Sequence, residues 1–254
     1  MLKIVPIEAF KDNYIWVIQE ESRAAVVDPG DARPVVDYLV REQLSLAAIL
    51  VTHHHPDHVG GVLDLLESHP APVYGPRNEP IPGITHAVAE GDQVTLDGPA
   101  VSLSVLEIPG HTRGHVAYYG ADFLFCGDTL FAGGCGRVFE GTPAQMHASL
   151  SKLAALPGHM RVYCAHEYTL ANLRFARAVE PDNSALAERE TADRLSREAG
   201  RPTVPSTIAK EKATNPFLRC HEASVAASAM RRLGQPIADP VAVFAAIREW
   251  KNGF

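Results

Sequence analysis

An α/β domain followed by a helical appendage is the fold class this sequence predicts, and three observations carry it. Short β-rich runs alternate with stretches of helical period through the first two-thirds of the chain. Beyond residue 168 no convincing strand pattern remains and helical periodicity takes over. The charge divides near the same place: residues 1–172 carry 10 Lys and Arg against 20 Asp and Glu, and residues 173–254 carry 13 against 10.

Each element has its own signal. Residues 2–7, 14–19, 24–28 and 48–52 concentrate Ile and Val, which suit a pleated, half-buried surface, and read as strands. Residues 93–96, 101–108, 116–119, 123–126 and 161–164 continue that series. Between them, residues 32–42, 59–68 and 143–155 place apolar side chains three and four apart, the period of an amphipathic helix. Thr142-Pro143 is a start signal, a capping residue followed by proline in the first turn. In the appendage, residues 170–179, 184–199, 222–233 and 240–250 read as helices. Gly200-Arg201-Pro202, Pro205-Ser206 and Asn215-Pro216 separate them.

Composition narrows the class of function. The 254 residues are 46% hydrophobic and 21% charged, enough apolar chain for a sizeable core. No apolar run approaches the roughly 18 residues of a membrane span. The first residues reach Lys11-Asp12 before a signal-peptide core could form, so a cytoplasmic protein is expected. Cys126, Cys135, Cys164 and Cys220 lack a C-x-x-C spacing, which argues against a zinc ribbon or disulfide framework. A net charge of -7 opposes nucleic-acid binding, which calls for a basic stripe. Nothing suggests an obligate dimer, so a monomer is the expectation.

The 12 histidines carry the functional argument. Thr52-His53-His54-His55-Pro56-Asp57-His58 directly follows the run Ala48-Ile49-Leu50-Val51. Pro56 disfavours helix at His55, so a turn is expected there, and a turn can aim alternate side chains at one point. Three more apolar runs end on a candidate ligand: Pro109-Gly110-His111, Gly127-Asp128 and Ala165-His166. Strands of a layered α/β fold that end on one edge bring such residues together. Imidazole nitrogen and carboxylate oxygen suit zinc, iron or manganese, and the absence of thiolate speaks against a purely structural zinc site.

Five histidines and two aspartates exceed the needs of one metal and suit two. The natural division gives His53, His55 and His111 to one divalent ion and Asp57, His58 and His166 to the other, with Asp128 bridging. Zinc is the first expectation, with iron or manganese as alternatives. Such a pair retains positive charge after binding a shared hydroxide, which activates that hydroxide and stabilises the oxyanion formed at a carbonyl. Asp57 could orient the hydroxide or carry its proton. His54 should point away from its neighbours, and His115 reads as a supporting group. Cys135 reads as a small loop residue, since no base accompanies it.

The cluster resembles the T-H-x-H-x-D-H signature of the metallo-β-lactamase superfamily, and Pro109-Gly110-His111-Thr112-Arg113-Gly114-His115 resembles its next motif. The resemblance implies a four-layer αββα sandwich. The chain is more closely similar to one member family, the hydroxyacylglutathione hydrolases (glyoxalase II). Asp12-Asn13-Tyr14, Cys126-Gly127-Asp128-Thr129-Leu130-Phe131, Gly134-Cys135-Gly136-Arg137 and Glu140-Gly141-Thr142 carry that likeness. So do Ala165-His166-Glu167-Tyr168-Thr169, Asn172-Leu173-Arg174-Phe175-Ala176, Val204-Pro205-Ser206-Thr207 and Asn215-Pro216-Phe217-Leu218-Arg219.

The resemblance implies a metal-binding catalytic domain over residues 1–168 and a helical glutathione-binding domain over residues 169–254. It implies hydrolysis of S-D-lactoylglutathione to D-lactate and glutathione by a metal-bridged hydroxide, with Asp57 and Asp128 at the catalytic centre. The family's glutathione contacts fall on Arg137, Tyr168, Arg248 and Lys251. Arg248 and Lys251 stand three apart on one helical face, suited to a ligand with two carboxylates. Where some members carry a tyrosine, this chain has Phe139, which cannot donate a hydroxyl hydrogen bond. A persulfide dioxygenase-like or other superfamily enzyme, and a non-catalytic metal-binding module, are the competing readings.

Overall fold

Hairpin pairing begins the chain. β1 (Lys3–Ala9) runs antiparallel to β2 (Asn13–Glu20), with Ile7 opposite Ile15, and β2 runs antiparallel to β3 (Arg23–Val27), with Val17 opposite Val26. The next partner is parallel and requires a crossover, which α1 (Ala32–Arg41) supplies before β4 (Ser45–Leu50). Asp31 caps that helix by accepting from the Arg33 N–H at 2.9 Å. The computed structural model describes residues 1–237 and 239–254, which fold into two compact units. The first comprises Met1–Glu107 with Thr112–Gly127, and the second comprises Ile108–His111 with Asp128–Phe254.

In the first unit, the helix expected over residues 59–68 is broken in two, α2 (Pro56–Val59) and α3 (Val62–Ser68). Close backbone approach is the reason. A Cβ on Gly61 would lie 2.4 Å from the Ala32 nitrogen, and the Gly61 N–H donates to the Pro29 carbonyl at 3.0 Å. Two short parallel strands with weak sequence signals, β5 (Val73–Pro76) and β6 (His86–Val88), complete a sheet ordered β1 to β6. Ile15, Val17, Val26 and Ile49 on one face pack with Val35 and Leu39 of α1 and Val62 and Leu65 of α3. On the other face Trp16, Ile18, Ala25, Val27 and Leu50 are also buried, as expected of a sheet covered on both sides.

A meander of β7 (Gln93–Asp97), β8 (Ala100–Glu107), β9 (Val116–Tyr119) and β10 (Phe123–Phe125) forms the unit's second set of strands. It is tied to the first sheet where β4 ends. The Val116 N–H donates to the Thr52 carbonyl at 2.9 Å, and the buried Tyr118 hydroxyl donates to the Val51 carbonyl at 2.9 Å. Burial pushes the Tyr118 phenol well above its usual pKa, so it stays a neutral donor.

The second unit opens with the tight hairpin of β11 (Leu130–Phe131) and β12 (Gly134–Cys135). Its first helix, α4 (Pro143–Ala154), begins at Thr142-Pro143 with a full capping box between Thr142 and Gln145. β13 (Arg161–Tyr163) leads to α5 (Thr169–Val179) and α6 (Ser184–Glu198). The appendage departs from expectation by containing a strand, β14 (Ser206–Thr207), antiparallel to β13. Two residues are too few for period 2 to register. α7 (Ile208–Thr214) and a 3₁₀ turn at Pro216–Leu218 come next, then α8 (Ala223–Leu233) and α9 (Pro240–Asn252). Phe175 packs against Phe217 and Trp250, and Phe217 against Phe244, which joins α5, the 3₁₀ turn and α9.

Candidate metal centre

β4 delivers the first group of donors. Its last residues are buried, and the chain turns at Thr52 and enters α2 with His55 as N-cap and Pro56 in the first turn. The segment is thus an extended stretch plus one helical turn, where a turn throughout was expected. That geometry brings His53 Nε2 within 3.2 Å of His55 Nδ1 and places the His53 and His58 ring centres 4.0 Å apart. His58 Nε2 lies 3.5 Å from Asp57 Oδ2. His53 and His58 are fully buried, and Asp57 and His55 are partly exposed.

Neighbouring polar groups set the orientation of these donors. Asn13 Nδ2 donates to Asp57 Oδ2 at 2.9 Å. Asp28 accepts from the Thr52 N–H at 2.7 Å and the Thr52 hydroxyl at 2.8 Å, and its Oδ2 lies 3.1 Å from His58 Nδ1. A carboxylate on one ring nitrogen fixes the tautomer and presents the other nitrogen's lone pair to a metal. His115 stacks on His53 at 4.5 Å and 16°, with Nδ1 3.0 Å from the Val116 carbonyl, and so acts as a packing support. His54, expected to point away from its neighbours, keeps its ring edge-on to His55 at 5.0 Å while its Nδ1 lies 3.0 Å from Glu79 Oε2.

The second unit carries three of the expected donors within itself. His111 Nε2 lies 3.4 Å from Asp128 Oδ2, and His166 Nε2 lies 3.3 Å from Asp128 Oδ1, so each carboxylate oxygen faces one imidazole. All three residues are buried. The Ile108–His111 segment is held by α4 and by the loop leading into that helix. Ser149 Oγ of α4 donates to the Pro109 carbonyl at 2.7 Å, and the Gly141 N–H donates to the Gly110 carbonyl at 3.1 Å. Gly110 has φ +152°, and a Cβ there would meet Met146 Cα at 2.8 Å, so glycine alone fits. His111 Nδ1 donates to the Arg137 carbonyl at 2.8 Å, which directs Nε2 toward Asp128. His166 is stacked face to face on Tyr168 at 4.7 Å and 4°.

The four residues expected as substrate contacts all lie in the second unit. Arg248 is 7% exposed; its Nη1 donates to the Cys135 carbonyl at 2.9 Å and its Nη2 to Asn252 Oδ1 at 3.2 Å, while Nε is buried without a partner among the described residues. Lys251 Nζ stands 5.1 Å above the Phe175 ring. Burial, then the Arg248 cation, lowers its pKa to about 8, with Arg174 a smaller contribution and Cys135 opposing. Arg137 is exposed, its guanidinium 5.8 Å from the Phe139 ring, and Tyr168 is exposed as well. The Cys135 thiol is raised by burial against the pull of Arg248, which makes it a poor nucleophile.

Asp28, Glu79 and the role of Asn13 emerge only from the fold. Asp28 closes the strand-like run 24–28, so the strand-end pattern that singles out His53, His111, Asp128 and His166 extends to it. Glu79 lies in the loop Arg77-Asn78-Glu79-Pro80 and carries no sequence signal.

The donor set suits divalent ions: buried and half-buried imidazoles, carboxylates beside them, and no thiolate among them. A model of the metallo-β-lactamase superfamily matches residues 10–166, and one for the hydroxyacylglutathione hydrolase C-terminus matches residues 167–254. A hydroxyacylglutathione hydrolase from Nitrosomonas eutropha is 54% identical over 254 residues, covering 100% of both chains. ETHE1 from Myxococcus xanthus superposes with a TM-score of 0.67 at 25% identity, over 99% of this chain and 98% of that one. TTHA1623, solved in a di-iron-bound form, superposes with a TM-score of 0.60 at 27% identity, over 84% of this chain and 100% of that one. Full-length identity at this level, joined to the two matched regions, places the chain in the hydroxyacylglutathione hydrolase family, hydrolases of the metallo-β-lactamase superfamily with its sheet sandwich and a helical C-terminal region.

Proposed function

We infer that this protein hydrolyses S-D-lactoylglutathione and related 2-hydroxyacyl thioesters of glutathione to the hydroxy acid and glutathione. The observation that carries the reading is the Asp128 carboxylate, which faces His111 with one oxygen and His166 with the other. A carboxylate so placed suits a bridge between two ions. In this reading His53, His55 and His111 hold one divalent ion and Asp57, His58 and His166 the other, with zinc, iron and manganese all compatible with the donors. Such ions supply Lewis acidity toward the thioester carbonyl and lower the pKa of a water to near neutrality.

The chain's own groups do the rest. Asn13 fixes Asp57 Oδ2 and thereby aims the carboxylate that orients the attacking water and takes its proton. The Arg137 carbonyl keeps His111 in the tautomer that ligation needs, and the Asp28 carboxylate stands 3.1 Å from His58 Nδ1, on the side of that ring away from Asp57. Glutathione carries two carboxylates, and Arg137, Tyr168, Arg248 and Lys251 offer cations and a phenol for them. Arg248 also anchors the Cys135 carbonyl, so it shapes the loop as well as the charge. The break between matched regions at residues 166 and 167 supports a catalytic domain over residues 1–168 and a glutathione-binding domain over residues 169–254. No helix among the described residues is long and apolar enough to cross a membrane. Four buried cysteines with no disulfide among them fit a reducing compartment and support a cytoplasmic site of action.

The test pairs activity with metal content. Purified protein should consume the thioester absorbance of S-D-lactoylglutathione and carry two metal ions per chain. His58→Ala should lose one ion and at least about 100-fold in kcat, the order expected when an ion or its activated water is lost. Undiminished turnover by a one-ion His58→Ala protein would exclude the two-metal reading.

A further inference from the structure

A single carboxylate in the first unit gathers four hydrogen bonds from two separate loops. Glu79 Oε2 accepts from the His54 N–H at 2.6 Å and lies 3.0 Å from His54 Nδ1. Glu79 Oε1 accepts from the Thr112 hydroxyl and from the Gly114 N–H at 2.9 Å. The Glu79 side chain is only 2% exposed. A buried carboxylate is costly unless its oxygens are fully engaged, and here both are.

The location of the donors gives the arrangement its meaning. His54 stands between His53 and His55, and Thr112 follows His111 in the chain. Gly114 precedes His115, whose ring lies flat against His53. Glu79 therefore grips both histidine-bearing loops by backbone N–H groups, which moves backbone and not merely rotamers. No motif marks it, and its recorded hydrogen bonds go to none of the assigned donors. Gly114 further fixes the approach: a Cβ there would meet Glu79 Cγ at 2.6 Å.

We propose that Glu79 is a positioning residue for the metal centre, clamping the His53–His55 loop to the Thr112–His115 loop, whose His115 ring backs His53, so that His53 and His55 are preorganised for an ion. This rests on the metal reading above. Groups that orient ligands are worth about 10–100-fold in metal affinity when removed. Glu79→Gln keeps the volume but turns one acceptor into a donor facing other donors, whereas Glu79→Asp keeps the charge with a shorter reach.

The experiment measures zinc release to a chelator, the absorption spectrum of cobalt(II)-substituted protein, and the unfolding midpoint of metal-free protein, for parent and variants. Glu79→Gln should release zinc at least about tenfold faster and alter the cobalt spectrum, with KM for the thioester within about twofold of parent. Glu79→Asp should recover part of the loss. Should Glu79→Gln fail to fold, Thr112→Val removes one of the four donors and should speed release about threefold. A lowered metal-free midpoint with unchanged release and spectrum makes Glu79 a purely structural group and overturns the proposal. Parent protein that retains no metal overturns the metal reading and this inference together; parent that holds metal beside variants that match it overturns this inference alone.

Discussion

Lys251 stands among cations and apolar rings, and under the substrate role proposed for it a depressed pKa of about 8 predicts pH-dependent binding in a definite direction. Only the protonated amine attracts a glutathione carboxylate, and that form is lost as pH rises through about 8. KM for the glutathione thioester should therefore climb above about pH 8 while kcat at saturation does not follow it. Lys251→Arg, charged throughout this range, should flatten the climb. Stability moves the other way. Between about 8 and the ordinary lysine value of 10.5 the unfolded chain binds more protons, so this residue's contribution rises with pH across that window and is constant below it. Steady-state kinetics from about pH 6.5 to about 9.5, corrected for spontaneous thioester hydrolysis, measures the first effect; a KM flat across this range removes Lys251 from the substrate site. Phe139 is the second residue with a local consequence. Its ring is 60% exposed, beside Arg137 and edge-on to His111 at 5.3 Å. Phe139→Tyr adds a donor there without disturbing packing. One hydrogen bond contributes about 0.5–1.5 kcal/mol, so KM should fall roughly 2- to 10-fold with kcat unchanged. An unaltered KM would mean that the position faces solvent and not glutathione.

At the level of elements, the short helix α7 shows how a segment with little sequence signal can be fixed by one buried group. Glu211 is fully buried; its Oε1 accepts from Arg189 Nη2 of α6 at 2.7 Å and from the Ser206 hydroxyl of β14. Its Oε2 accepts from the Gly133 N–H at 2.8 Å and from Asn215 Nδ2 at 3.0 Å. Asn215 in turn donates to the Gly134 carbonyl at 2.8 Å, so the β11–β12 hairpin hangs from α7. Glu211→Ala would leave the Arg189 guanidinium to Asp193, Thr214 and Ser206. Breaking a buried pair costs about 3–5 kcal/mol, and with Asp193 still present the lower end is expected. Urea unfolding should show the midpoint falling without a change in slope; a parent-like midpoint would mean that Asp193 satisfies Arg189 unaided. The same elements explain what the sequence could disclose. Long periodic segments such as α1, α4, α6 and α9, and apolar strands such as β2 and β4, announce themselves because their burial pattern repeats several times. β5, β6, β11, β12 and β14 have two to four residues each, and their pairing is decided by partners far along the chain. The donors were legible because they stand at or just past strand ends, whereas Glu79 was not, because its role depends on a loop brought to them only by folding.

For the molecule as a whole, the metal centre implies a link between ion binding and stability. The Asp128 carboxylate is buried between the His111 and His166 rings, and a cation there would compensate its charge. An ion that binds the native chain and not the unfolded one stabilises it by mass action, about 2.7 kcal/mol per site at a free concentration 100-fold above Kd. In a chain of this length each kcal/mol moves Tm by about 2–4 °C, so one site at that occupancy should raise the midpoint by roughly 5–10 °C. Chelation should therefore lower the thermal midpoint, and added zinc should restore it. A two-ion centre further predicts that the recovery continues past one equivalent, with His58→Ala recovering only the first part. Should the midpoint be indifferent to chelator while the thioester is still hydrolysed, the donors would be serving some other purpose, and the two-ion chemistry would have to be abandoned.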